Sequence, residues 1–192
     1  MNLLYRSAFA IATDIKTQKV TSRQVLEFFL QRVERHNGAL NCVVALDEER
    51  ALARADEADL AAANGEDWGP LHGVPMTIKD ALLTEGLVTV GGIPQCSNNI
   101  PTVNAVAVQR YIDAGAIVFG KTNVPFMSSD LQSFNDIYGV TNNPWDTSRT
   151  CGGSSGGSAS ALAAGLTPLE LGRDIGGSMR TPWRFNGVFG HK

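Results

Sequence analysis

Apolar positions recur at helical spacing through the first third of the chain and then give way to short apolar runs separated by helix-period stretches. Leu3 to Ile15 predicts a short amphipathic helix. A second begins at Thr21 or Ser22, either able to cap it, carries Val25, Leu26, Phe29, Leu30 and Val33 on one face, and is expected to end at Asn37-Gly38. Asn41 to Leu46 is apolar and β-branched enough for a strand, and Asp47 to Ala63 predicts an alanine-rich helix closed by Asn64-Gly65. Residues 1–70 therefore read as helical scaffold.

From Leu71 the pattern changes. A strand over Val74 to Ile78 delivers Lys79 and Asp80 to its C-terminal end, where open α/β sheets keep their ligands. Gly86 to Gly92 makes a turn-rich connection, and Val103 to Ala114 predicts a helix with Val103, Val106, Ala107, Tyr111 and Ala114 inward, stopped by Gly115. Ala116 to Phe119 reads as a buried strand, Ala159 to Ala164 as a helix and Leu169 to Leu171 as a strand, with the polar stretch from Lys121 to Asp146 as a long loop over the sheet edge. Helix alternating with short apolar strand predicts an α/β domain with parallel strands. At 192 residues one domain is expected, with 71–192 as its catalytic core.

With 43% hydrophobic and 18% charged residues the chain reads as soluble and globular, and a net charge of −3 argues against nucleic acid or an anionic membrane surface as a direct partner. Cys42, Cys96 and Cys151 are odd in number and widely spaced, which suggests neither a disulfide framework nor a zinc site and favours a reducing, cytoplasmic location. The N-terminus has Arg6 and Asp14 around its apolar stretch, unlike a secretion signal or a membrane span.

Two glycine-serine clusters, Gly152 to Ser158 and Gly176 to Ser178, fit no ordinary core element. A serine nucleophile needs a base, and none of His36, His72 and His191 lies in a glycine-serine setting; GxSxG is also absent. A phosphate cradle is a second reading, weakened by the missing lysine of a P-loop. A plain helix cap from the serines is a third. A fourth begins from Lys79, set between Met76-Thr77-Ile78 and Ala81-Leu82-Leu83. A lysine titrating near ~10.4 is no base at neutral pH, but burial lowers that value, and a neutral Lys79 could draw a proton from one serine that draws it from another.

GVPMTIKD at 73–80, CGGSSGGSASALAAG at 151–165 and LELGRDIGGSMR at 169–180, in this order, resemble the three signature blocks of the amidase signature family of serine hydrolases, and GVFGHK at 187–192 resembles the segment after its nucleophile. The resemblance implies a mixed, partly parallel sheet sandwiched by helices. It implies hydrolysis of a carboxylic amide C–N bond through a Ser, cis-Ser, Lys triad: Lys79 as base, Ser154 as the relay serine preceded by a cis peptide, and Ser178 as nucleophile. The amides of Ile175, Gly176, Gly177 and Ser178 match the oxyanion hole, where losing one donor typically costs ~3 to 4 kcal/mol of barrier. Ser155, Asp174 and Arg180 match supporting positions. The implied substrate is a small-molecule amide, no metal or organic cofactor is required, and a homodimer is allowed.

Cys151 stands where the family commonly has proline, Arg173 where a small or hydroxyl residue is usual, and Trp183, Arg184 and Asn186 are bulkier or more polar than the pattern. The family's catalytic domain is more than twice as long, so 1–192 is expected to be its N-terminal part, with the sheet incomplete on the C-terminal side. Two alternatives stand beside a free-standing amidase: the glutaminase subunit of a tRNA-dependent amidotransferase, and a truncated inactive remnant. The stretch DLQSFN at 130–135 resembles stand-alone bacterial amidases more than it does the glutaminase.

Overall fold

The computed structural model describes residues 3–192. Helices α1 (Ala8–Lys16), α2 (Ser22–Leu40) and α3 (Glu48–Ala63), with strand β1 (Val43–Leu46), form the first third. Strand β2 (Pro75–Lys79), helix α4 (Val106–Asp113) and strand β3 (Ile117–Thr122) follow as a βαβ unit. A small hairpin of β4 (Phe134–Asn135) and β5 (Gly139–Val140) precedes helix α5 (Gly156–Ala163), strand β6 (Glu170–Leu171) and helix α6 (Arg180–Asn186). The main sheet has the order β1-β3-β2-β6. β2 runs parallel to β3 and to β6, and β1 runs antiparallel to β3, so the expected mixed and partly parallel sheet is present.

Local chemistry explains most boundaries. The first helix starts at Ala8 rather than Leu3 because Ser7 Oγ accepts from Ala10 N and caps it there. Thr21 and Gln24 form a reciprocal capping box on α2. That helix does not end at Asn37-Gly38. Asn37 Oδ1 instead accepts from Cys42 N and Val43 N, holding the departing chain, and the left-handed stop falls at Asn41.

The face expected of the fourth helix is also corrected. Val103 and Val106 are 60% and 71% exposed, and Ala107 is exposed too. Tyr111 packs inward as expected, but its companions on Met76 and Ile78 of β2 are Ala105, Val108 and Ile112 rather than the two valines. Two apolar stripes compete on this short helix, and the sheet face selects one. The stretch 121–146 is less loop-like than expected, since it holds the end of β3, a helical turn at Phe126–Ser128 and the β4–β5 hairpin. Helix α6 has no counterpart among the elements expected from the sequence.

β2 is buried along its whole length. Because side chains alternate across a strand, Met76 and Ile78 face α4 while Thr77 and Lys79 face α5. The larger apolar cluster lies among α1, α2, α3, β1 and β3, around Ile11, Leu26, Phe29, Ala55 and Phe119. The C-terminal end of β2 is thereby held between two packed layers.

Candidate active site

Lys79 is the last residue of β2 and is fully buried. Its Nζ donates to Ser154 Oγ at 2.6 Å and to Ser155 Oγ at 2.9 Å. Burial pushes its pKa down from 10.5 to about 7, aided by the positive charge of Arg173 and opposed by Glu170 and Asp174. At neutral pH a large share of Lys79 is therefore the free amine that a base must be.

The glycine run before α5 is set by crowding. The peptide between Gly153 and Ser154 is cis. A Cβ on Gly153 would stand 2.7 Å from Asp130 O, and one on Gly157 would stand 2.4 Å from Asn123 N. These glycines let the backbone press against two other chain segments and present Ser154 and Ser155 to Lys79.

The helix-cap reading fails at Ser155. It occupies the N-cap position of α5, yet its side chain makes no capping bond. Its Oγ accepts from Lys79 and donates to Arg173 O at 3.3 Å, and its N donates to Ser178 O at 2.9 Å. Ser155 thus ties the lysine to both ends of the loop 173–178. The acceptor for the first helical amide comes from elsewhere: Gly156 N donates to Ser133 Oγ.

Asp174 organises the second glycine-serine loop. Its carboxylate accepts from Gly177 N, Met179 N and Arg180 N, and from Nε and Nη2 of Arg180, both at 3.0 Å. The Arg180 guanidinium and these amides hold it far below the usual carboxylate range. The amide of Gly177, expected to face an oxyanion, is given to Asp174 in this arrangement. Among the described residues the N–H groups of Ile175, Gly176 and Ser178 donate no hydrogen bond, so three of the four expected donors are free.

Ser178 Oγ makes no hydrogen bond among the described residues, so the link from Ser154 to Ser178 is not closed. Ser178 lines an open pocket of about 230 Å³ with Ser129, Asp130, Leu131, Arg173 and Gly176. The turn before this wall places two consecutive residues, Met127 and Ser128, at φ 53° and 56°, a conformation that non-glycine residues rarely adopt. Ser128 and Ser129 of this wall, together with Thr122 and Glu170, are what sequence reasoning missed. Glu170 left one trace, a carboxylate inside an apolar run. The histidines stand apart from the serines. His72 is buried, accepting from Trp68 N and bonded to Ala58 O, while His36 and His191 are exposed.

Known proteins share this architecture. The family model described as Amidase matches residues 24–192. An acylamidase of Rhodococcus erythropolis is 41% identical over the whole chain, and a glutamyl-tRNA(Gln) amidotransferase component of Lachnospira eligens is 40% identical. The chain spans about 40% of the length of each. A bacterial aryl acylamidase structure superposes with a TM-score of 0.90 at 29% identity, over 94% of this chain and 38% of that one. A fatty acid amide hydrolase structure gives 0.88 at 31% identity, over 93% and 32%. The chain belongs to the amidase family, the amidase signature enzymes.

Proposed function

We propose that this chain carries the catalytic residues of an amidase that cleaves a carboxylic amide C–N bond through an acyl-enzyme on Ser178. The observation that carries the reading is the buried, deprotonable Lys79 bonded to Ser154 Oγ at 2.6 Å. The neutral amine takes a proton from Ser154 as Ser154 takes one from Ser178, and Ser178 attacks the carbonyl carbon. The free amides of Ile175, Gly176 and Ser178 receive the oxyanion. Collapse breaks the C–N bond, with the leaving nitrogen protonated back through Ser154 from Lys79, and water then releases the acid by the same route.

Residues 1–192 act in this reading as the N-terminal part of a single, longer catalytic domain, with a small-molecule amide as substrate and a cytoplasmic location. Among the described residues no helix is long and apolar enough to cross a membrane. The near-equal identity to the amidotransferase component supports a second reading, a glutaminase working with partner proteins.

A fluorophosphonate probe tests the first claim. Labelling that disappears in Ser178→Ala and falls at least a hundredfold in Lys79→Ala supports the triad; labelling unchanged in Ser178→Ala overturns it. Turnover of glutamine together with co-purifying partner proteins selects the second reading over a free-standing amidase.

A further inference from the structure

Lys121 has no part in the relay described above, although it is fully buried one strand away from Lys79. It lies on β3 directly opposite Ile78, while the residue opposite Lys79 is Thr122, so alternation turns the two lysines to opposite faces of the sheet. Its Nζ donates to Leu82 O at 2.6 Å, to Thr84 Oγ1 at 2.9 Å and to Thr89 Oγ1 at 3.1 Å. The two threonine hydroxyls donate their own protons elsewhere, Thr84 to Leu82 O and Thr89 to Leu87 O. Toward Lys121 both can therefore only accept, and three bonds require the three protons of an ammonium. Burial pushes its pKa down only to about 8, in keeping with that charge.

All three acceptors belong to one segment, 82–89, that lies outside any helix or strand. No ladder fixes its shape, so the buried ammonium does, because it needs an acceptor for each proton and is costly to leave short of one. The segment continues to the pocket. Val90 N and Gly91 N donate to Asp80 Oδ1 and Asp80 O, Gly91 O accepts from Met127 N at 2.9 Å, and a Cβ on Gly92 would stand 2.8 Å from Pro125 O. Met127 leads directly into Ser128, Ser129, Asp130 and Leu131, the wall of the Ser178 pocket. The same wall crowds the peptide before Ser154, since a Cβ on Gly153 would meet Gln132 N at 2.8 Å.

We propose that Lys121 is a positioning residue for the amidase reaction: through the loop 82–91 it holds the wall 127–131 in place against the pocket in which Ser178 meets its substrate. The inference rests on the role given to Ser178 above. Lys121→Met nearly keeps the length of the side chain and leaves both threonine hydroxyls bonded to their carbonyls. It therefore loosens the loop without leaving a buried donor unpaired.

The test takes two readings on the purified protein. The first is amide hydrogen exchange, in which Lys121→Met is expected to speed exchange at Met127 by at least about tenfold while the amides of α2 stay unchanged. The second is the ratio of labelling rates at Ser178 by an aryl fluorophosphonate, which fills the pocket, and by a methyl one, which does not. The variant is expected to lower this ratio by at least about threefold. A mere loss of folded protein would slow both probes equally and leave the ratio as it was. Unmoved exchange at Met127 in folded Lys121→Met overturns the proposal, and so does an unmoved ratio. Should that variant fail to fold, Thr89→Val, which removes one acceptor, takes its place under the same two criteria. A wild type that takes neither probe defeats the role of Ser178, and exchange at Met127 alone then decides whether Lys121 holds the wall.

Discussion

Replacing Lys79 by methionine should change how stability depends on pH. Lys79 titrates at about 7 in the fold against 10.5 in an open chain, so holding it as an ammonium in the fold costs about 5 kcal/mol. Between these two values the unfolded chain binds more protons than the folded one, and stability therefore rises with pH across that window and bears the full penalty below it. From pH 7.5 to 9.5 the gain is about 2 kcal/mol. Methionine removes this dependence and leaves Ser154 and Ser155 without their donor, at a pH-independent cost of roughly 1 to 3 kcal/mol. Cys42 and Cys151, pushed by burial up to about 12, act in the opposite direction at alkaline pH, but equally in both proteins. The measurement is the unfolding free energy by urea denaturation at a series of pH values, wild type minus Lys79→Met. A difference that climbs by about 2 kcal/mol supports a desolvated base, and parallel curves would refute it.

Two further outcomes follow from the same geometry. Arg173→Ser removes a cation that disfavours the Lys79 ammonium, so the Lys79 midpoint and the acid limb of Ser178 labelling should move up, by less than about one pH unit because the charge is exposed and screened; a downward move would contradict it, and high salt should shrink the effect. Gly157→Ala forces a Cβ to within 2.4 Å of Asn123 N and 2.6 Å of Asn123 O, both backbone atoms, and should cost about 3 kcal/mol by thermal or urea unfolding. An unchanged midpoint of unfolding would show that this crossing is looser than the packing indicates.

The signature blocks were legible because their chemistry leaves unusual residues in unusual places: a lysine ending a mostly apolar strand, and glycines where a side chain has no room. The cap of α2 was legible to within Thr21 or Ser22, and Thr21 takes it, whereas the cap at Ser7 was not read. The face of α4 was not, because Val103 and Val106 compete with Ala105 and Val108 for the inward phase and only contact with Met76 and Ile78 resolves it. Nor was the end of α2, where the Asn37 side chain bonds two amides beyond the helix.

Lys79 stood out from its own apolar neighbours, whereas Ser154 and Ser178 were singled out only by the resemblance of their blocks to the amidase signature family. What each group does in the fold was decided by tertiary structure. Ser155 has the local setting of a helix cap but serves as the tie between Lys79 and the 173–178 loop, and Gly177 has the setting of an oxyanion donor but gives its amide to Asp174. The burial that lowers Lys79 toward neutrality comes from packing β2 between β3 and β6, strands far apart in the sequence. Local sequence specifies which donors and acceptors exist; desolvation and pairing, which set their energies, arise only when distant strands are packed together.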